Sequence, residues 1–221
     1  MRQRPVVNPC VAQLVRIPVD GVAIEGMLEL PGNAQGIVLF AHGRGSSRNS
    51  PHHNYVARVL HEKGISTLLL DLLTLAEDLD YQSRFDVALL THRLLVATCW
   101  VKLQPLTRHL RMGYFGASTG AAAALQAAAA LERDIQAVVS WGGRPDLAGA
   151  KELAKVTAPS LLLVGTEDDK GIKLNQEAYA RLRCSKELSI VLGATHLFEK
   201  VGTLEEVARQ AAVWFNLYLK K

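Results

Sequence analysis

The chain has 221 residues, of which 49% are hydrophobic, and this suits one α/β domain with a core on both faces of a sheet. The formal net charge of +4 is small and the basic residues are scattered, which argues against nucleic-acid binding. The first residues lead into no apolar signal segment, and no apolar stretch approaches the about 20 residues of a membrane span. Three widely spaced cysteines form neither a disulfide framework nor a zinc pattern. We therefore expect a cytoplasmic protein with reduced thiols.

The predicted fold opens with two antiparallel strands. Val11–Val19 and Val22–Leu30 alternate in character and are separated by Asp20-Gly21, a pair that favours a tight hairpin because both positions tolerate positive φ. Gly36–Ala41 is apolar throughout, which is typical of a strand covered on both faces. A loop that contains His42-Gly43-Arg44-Gly45 follows it.

Helices and strands alternate along the rest of the chain. Predicted helices span 52–63, 84–103, 119–131, 147–154, 172–183 and 203–219, and predicted strands span 65–70, 113–115, 135–140, 160–164 and 186–192. Residues 72–83 are predicted to make an excursion over the surface with room for one helical turn. This alternation predicts a single domain over residues 1–221, with a mostly parallel twisted sheet, an N-terminal hairpin and helices on both faces. We expect no large lid insertion, an open pocket and a preference for short acyl groups.

The segment Gly116-Ala117-Ser118-Thr119-Gly120 has the pattern G-x-S-x-G, with an apolar strand before it and an alanine-rich helix after it. In this setting the pattern is typical of a sharp turn that holds a nucleophilic serine in a strained conformation. Side chains two residues before or after Ser118 would collide with the neighbouring strand or helix, and glycine avoids that collision. The alternative is an ordinary strand-to-helix turn with small residues.

Three complementary side chains follow three predicted strands, in the order Ser118, Asp168 and His196. A serine hydroxyl needs a base to become nucleophilic, an imidazole can accept its proton, and a carboxylate can orient the imidazole. The sequence therefore predicts a Ser-His-Asp triad at the carboxyl edge of the sheet. Asp169 is the alternative acid. Asp146 is a further strand-end carboxylate, which is better explained as the N-cap of the helix at 147–154.

Four segments together resemble the dienelactone hydrolase-like group of the α/β-hydrolases: His42-Gly43-Arg44-Gly45, Gly116-Ala117-Ser118-Thr119-Gly120, Val164-Gly165-Thr166-Glu167-Asp168 and Gly193-Ala194-Thr195-His196-Leu197-Phe198. The resemblance implies an α/β-hydrolase fold and a spacing that selects Asp168 over Asp169. Dienelactone hydrolases proper have a cysteine nucleophile where this chain has Ser118. The resemblance therefore implies a serine hydrolase that cleaves a small ester, thioester or lactone, without a cofactor.

An oxyanion hole is expected from backbone N–H groups. The N–H of Thr119 is one donor, at the positive end of its helix, and the N–H of Arg44 is the second. Gly43 and Gly45 would let this loop approach the substrate, while the side chain of His42 is expected to hold the loop by hydrogen bonds. Trp141 follows a strand as either core or pocket wall.

Other interpretations follow from the same residues. His52 and His53 suggest a metal site, but adjacent helical positions diverge by about 100°, so we expect none. Gly43 and Gly45 suggest nucleotide binding, but Arg48 stands where the third glycine of G-x-G-x-x-G is needed. The remaining alternative is a non-catalytic interaction protein on a hydrolase scaffold. We expect a small ester-like substrate, with no nucleic acid and no membrane as partner.

Overall fold

The computed structural model describes residues 11–32, 34–42 and 47–220. Within them lies one sheet of eight strands in the order β1-β2-β4-β3-β5-β6-β7-β8. The β1/β2 and β2/β4 pairs are antiparallel and all other pairs are parallel. The strands are β1 Val11–Val19, β2 Val22–Leu30, β3 Gly36–Ala41, β4 Ile65–Asp71, β5 Arg111–Ala117, β6 Ile135–Trp141, β7 Ser160–Gly165 and β8 Lys186–Val191. The predicted sheet with its N-terminal hairpin is confirmed.

Helices cover both faces of this sheet. Those in the described part of the chain are α1 Pro51–Glu62, α2 Leu75–Leu79, α3 Val87–Leu103, α4 Thr119–Leu131, α5 Ala150–Leu153, α6 Asp169–Arg181 and α7 Thr203–Leu219. Helices α3, α4 and α6 contribute to one apolar core, and α1 and α7 contribute to the other. Strand β3 is buried along its whole length between the two, which accounts for its unbroken apolar sequence. Within these described residues, no helix is both long enough and apolar enough to cross a membrane.

Helix α4 lies close to the sheet because its buried side chains are small. Alanines 121–124 and 127–129 are all buried, and Leu125 is the large side chain among them. Alanine also has the highest helix propensity and loses no side-chain entropy. The close approach of α4 brings its N-terminus, and with it the serine turn, against the end of β3.

Several predicted boundaries move because a polar side chain caps a helix. Helix α3 begins at Val87 instead of residue 84, since the Asp86 carboxylate accepts a hydrogen bond from the N–H of Leu89 at 2.9 Å. Helix α6 begins at Asp169 rather than residue 172, with Asp168 as its N-cap. The predicted helix at 147–154 is reduced to the short α5, because Gly149, whose φ is +84°, separates it from a 3-10 turn at Pro145–Ala148.

Other expectations hold. Asp20 and Gly21 have positive φ values of 49° and 78°, as the predicted hairpin turn requires. The surface excursion after β4 contains α2 as its one helical element besides a 3-10 turn at Ser83–Phe85. Helix α1 was predicted to begin at residue 52, and it begins at Pro51.

Candidate active site

Ser118 lies in a strained turn between β5 and α4. Its φ of 52° and ψ of −127° fall outside the regions that side-chain-bearing residues ordinarily adopt. A Cβ on Gly116 would lie 2.5 Å from the Cα of Ala121, and a Cβ on Gly120 would overlap the carbonyl oxygen of Ala41. The steric prediction for both glycines is therefore confirmed. Glycine at these two positions therefore allows β5, Ser118 and α4 to pack as closely as they do.

Thr119 is the first residue of α4, where backbone N–H groups have no acceptor within the helix. Its side chain is 1% exposed, and its hydroxyl donates a hydrogen bond to the carbonyl of Arg84 at 3.3 Å. This contact ties the start of α4 to the excursion that follows β4. The predicted second donor, Arg44, lies outside the described residues, as do Gly43 and Gly45. Their roles stay predictions.

Asp168 and His196 are brought together at the ends of β7 and β8. The N–H at Nδ1 of His196 donates to Asp168 Oδ2 at 2.9 Å, and Asp168 Oδ1 accepts a hydrogen bond from the N–H of Gly171 at 2.9 Å. Asp169 is instead the exposed first residue of α6. A Cβ on Gly171 would overlap the Asp168 carboxylate. Gly171 is thus a positioning residue that the sequence analysis missed, although its place three residues after a capping Asp was a signal.

A single turn after β6 links the serine to the histidine loop. The N–H of Arg144 donates to the carbonyl of Ser118 at 3.0 Å, and a Cβ on Gly142 would lie 3.0 Å from the backbone oxygen of His196. Ser118 and His196 therefore flank the same turn. No hydrogen bond joins their side chains within the described residues. The structure brings them to one edge of the sheet without pairing them.

The structure defines the surroundings of two residues at the end of β6. Asp146 is not a helix N-cap: it lies inside the 3-10 turn and accepts hydrogen bonds from the Arg144 guanidinium at 2.9 and 2.8 Å. Trp141 is 7% exposed, and its ring packs 5.5 Å from that of His53 and 5.7 Å from that of Phe198. Of the two alternatives for Trp141, these contacts favour core over pocket wall.

His42 belongs to a polar network that the sequence analysis did not assemble. His42 Nε2 lies 3.3 Å from Asp71 Oδ1, which also accepts a hydrogen bond from the N–H of Arg48 at 2.7 Å. The Arg48 guanidinium contacts Asp71 Oδ2 and, at 2.7 Å, Glu25 Oε2. Burial raises the pKa of Asp71, but the hydrogen bonds and charges of His42 and Arg48 outweigh it and lower that pKa. Asp71 is consequently an ionised centre at the end of β4.

The adjacent histidines of α1 point in different directions. His52 is exposed, whereas His53 is 4% exposed and packs against Phe40, Phe115 and Trp141. Burial, helped by the neighbouring His42 and His52, lowers the pKa of His53 to about 3. Among the residues described, no group of three or more His, Cys, Asp or Glu side chains is arranged to hold a metal ion.

Comparison with known proteins places the fold of this chain among hydrolases. The crystal structure of a dienelactone hydrolase from Anabaena variabilis is 50% identical in sequence, superposes with a TM-score of 0.92, and is matched over 96% of this chain and 99% of its own. Est1E from Butyrivibrio proteoclasticus shares the fold at 16% identity, with a TM-score of 0.78 over 91% of this chain and 97% of its own. No protein-family model matches the chain.

Two curated Mycobacterium tuberculosis relatives are 51% identical over 201 residues. The alignment covers 91% of this chain but 45% of each relative, so the chain spans about half of their length. Both relatives carry the provisional name phosphoribosyl transferase.

Proposed function

This chain belongs to the dienelactone hydrolase-like group of the α/β-hydrolases, and we propose that it is a serine hydrolase that cleaves a small ester, thioester or lactone. The observation that carries the proposal is the 2.9 Å hydrogen bond between His196 Nδ1 and Asp168 Oδ2, at the sheet edge where Ser118 lies in its strained turn. Because Nδ1 is engaged by the carboxylate, Nε2 is the nitrogen left to act as base.

The proposed reaction has two acyl-transfer steps. Ser118 Oγ attacks the acyl carbon while His196 Nε2 accepts the hydroxyl proton, and the imidazolium is stabilised by Asp168. The oxyanion of the tetrahedral intermediate accepts hydrogen bonds from the N–H groups of Thr119 and Arg44. Its collapse returns the proton from His196 to the departing alcohol or thiol and leaves an ester on Ser118. Water, deprotonated by His196, then releases the acid and restores the hydroxyl.

The positions of His196 and Ser118 fit a site in which the hydrogen bond between them forms when substrate binds. His196 is half exposed, with 49% of its side chain accessible, while Asp168 is 14% exposed. The Asp168 carboxylate is thus mostly buried, whereas the exposed imidazole of His196 has space to rotate toward Ser118. Catalytic hydrogen bonds are often long or unmade without substrate and form in the Michaelis complex.

The name of the Mycobacterium relatives is not carried over to this chain. The aligned part is less than half of those proteins, and the chain that it matches here has the α/β-hydrolase fold. A purified chain that released pyrophosphate from phosphoribosyl diphosphate would reverse this view.

Labelling with a fluorophosphonate tests the proposed function directly. We expect the wild-type protein to be labelled at Ser118 and to hydrolyse nitrophenyl acetate, and Ser118→Ala to do neither. Ser83→Ala, which removes a serine from the exposed turn before α3, is the matched control and should label like the wild type. An inert but folded wild type would favour the non-catalytic alternative, and equal labelling of Ser118→Ala would place the reactive group elsewhere.

A further inference from the structure

A cavity of about 570 Å³ lies at the ends of β2, β3 and β4, under the segment 72–78. We call it the strand-end cavity, and its lining includes Glu25, His42, Arg48, Asp71, Thr74 and Ala76. Its volume is in the range of small-molecule sites, which measure about 300–1,000 Å³. None of these side chains belongs to the proposed triad.

The strand-end cavity adjoins the serine turn along two paths. His42 lines the cavity and directly follows Ala41, whose carbonyl oxygen is in contact with Gly120 of the serine turn. Thr119 donates its hydroxyl hydrogen bond to the carbonyl of Arg84, and the Arg84 guanidinium pairs with cavity-lining Asp78 at 3.1 Å. The lining of the cavity is therefore connected to the serine turn through Ala41 on one path and through Arg84 on the other.

The floor of the cavity carries charges that compensate each other. Two carboxylates, of Glu25 and Asp71, face two guanidinium groups: Arg48 contacts both of them and Arg16 contacts Glu25 at 3.0 Å. The side chains of Arg48 and Asp71 are 21% and 18% exposed, so the pairs are partly desolvated. An anionic or cationic ligand group would add an uncompensated charge to a partly desolvated floor whose charges already balance, which is unfavourable.

An alkyl chain fits this floor poorly as well. It would exclude water from the carboxylates and guanidinium groups without replacing the hydrogen bonds that they make to that water, which is unfavourable. A hydroxyl or carbonyl group does replace them, because it accepts from the Arg48 guanidinium, and a hydroxyl also donates to a carboxylate. Leu72 and Leu73 supply apolar wall beside the floor.

We propose that the strand-end cavity is a substrate subsite for an uncharged group that carries hydroxyl or carbonyl oxygens, on either the acyl or the alcohol side of the ester. The inference rests on the proposed serine hydrolase function and adds the class of substrate. The reacting ester lies at Ser118, and the cavity decides which ester is held there.

Paired esters that differ by one hydroxyl for one methyl test the proposal. Methyl beta-hydroxybutyrate against methyl isovalerate examines the acyl side, and hydroxyethyl acetate against propyl acetate examines the alcohol side. We expect kcat/KM to favour the hydroxylated member of one pair by about tenfold, mainly through KM. Equal rates within both pairs, or a preference for monomethyl succinate over all of them, would overturn the proposal. Loss of all activity, nitrophenyl acetate included, would instead overturn the serine hydrolase function.

Two variants assign the preference to the cavity. Ala76→Phe fills it from an exposed position of α2 and should abolish the hydroxyl preference. Leu79→Phe is the control on the same helix, at a residue that is 83% exposed and does not line the cavity. Glu25→Gln removes one carboxylate, so the floor gains net positive charge, and kcat/KM for monomethyl succinate should rise about tenfold. An unchanged hydroxyl preference in Ala76→Phe, or no gain in Glu25→Gln, would contradict the cavity's role.

Discussion

His196 donates from Nδ1 to Asp168 Oδ2 at 2.9 Å, while Asp168 Oδ1 accepts the N–H of Gly171 at the same distance. One carboxylate thus orients the imidazole and caps helix α6. The cap holds the carboxylate plane, so the imidazole is aligned by the fold rather than by a freely rotating side chain. Because of this double role, a substitution that keeps the cap and removes the negative charge should affect catalysis but not folding.

The variant Asp168→Asn should lose activity without losing the fold. Asparagine is as good an N-cap as aspartate, but it cannot stabilise the imidazolium, and we expect kcat for nitrophenyl acetate to fall by about 10³–10⁴. The melting temperature should move little. Asp169→Asn is the matched control, and its kcat should stay within about twofold because that carboxylate is exposed and does not contact His196. If Asp169→Asn were the impaired variant, the assignment of the acid would be wrong.

The variant Gly120→Ala should destabilise the protein, because its Cβ would overlap the carbonyl oxygen of Ala41. Both groups belong to the backbone of packed elements, so neither gives way easily, and we expect a loss of about 3 kcal/mol in the free energy of unfolding in urea. Gly193→Ala is the control: a Cβ there meets open space and only the left-handed φ of 72° resists it, which costs about 1 kcal/mol. Equal losses would mean that the contact with β3 relaxes and is not what makes Gly120 necessary.

Arg93 anchors helix α2 to helix α3. Its side chain is 3% exposed and its guanidinium donates to Glu77 at 2.6 and 2.7 Å and to the carbonyl of Leu72 at 3.0 Å. Thr74, which opens α2, forms a capping box with the same glutamate. Hydrogen bonding from Arg93 lowers the pKa of Glu77 from 4.5 to about 2.

The variant Glu77→Gln should therefore be less stable by about 2–4 kcal/mol at neutral pH, since it leaves a buried guanidinium without its counter-charge. The folded-state pKa of Glu77 is depressed, so its stabilisation is complete above pH 4.5 and is lost as the pH falls from 4.5 toward 2. The stability difference between wild type and variant should shrink over that interval in urea titrations. The double variant Glu77→Gln with Arg93→Met should recover part of the loss. Stability curves that stay parallel down to pH 2 would contradict the pairing.

The buried His53 should make the protein sensitive to acid. Its pKa is lowered from 6.5 to about 3 in the folded state, so between these pH values the unfolded chain binds a proton that the folded chain does not. Stability is then greatest above pH 6.5 and falls as the pH drops toward 3, by about 5 kcal/mol in all. His53→Gln should flatten this part of the curve, while His52→Gln, at the exposed neighbouring position, should not. An unchanged acid slope in His53→Gln would assign the sensitivity to other groups.

Much of the fold can be predicted from the sequence because it depends on local sterics and hydrophobic periodicity. The positive φ values at Asp20 and Gly21, the buried strand β3 and the small residues around Ser118 all follow from what one short segment can do by itself. The helix starts at Val87 and Asp169 were placed three residues off, in opposite directions, because each depends on which aspartate turns its side chain back to cap the helix.

The sequence by itself determined the order of strands and helices and the three strand ends that carry Ser118, Asp168 and His196, because elements and their ends are local properties of the chain. Only the tertiary structure decided that Asp168 and not Asp169 faces His196, that Asp146 pairs with Arg144, and that Trp141 is buried. It also assembled the floor of the strand-end cavity, where Glu25 on β2 lies opposite Asp71 on β4. Glu25 and Asp71 are adjacent because β4 lies between β2 and β3 in the sheet. This strand order is determined by packing over the whole domain and not by any single stretch of sequence.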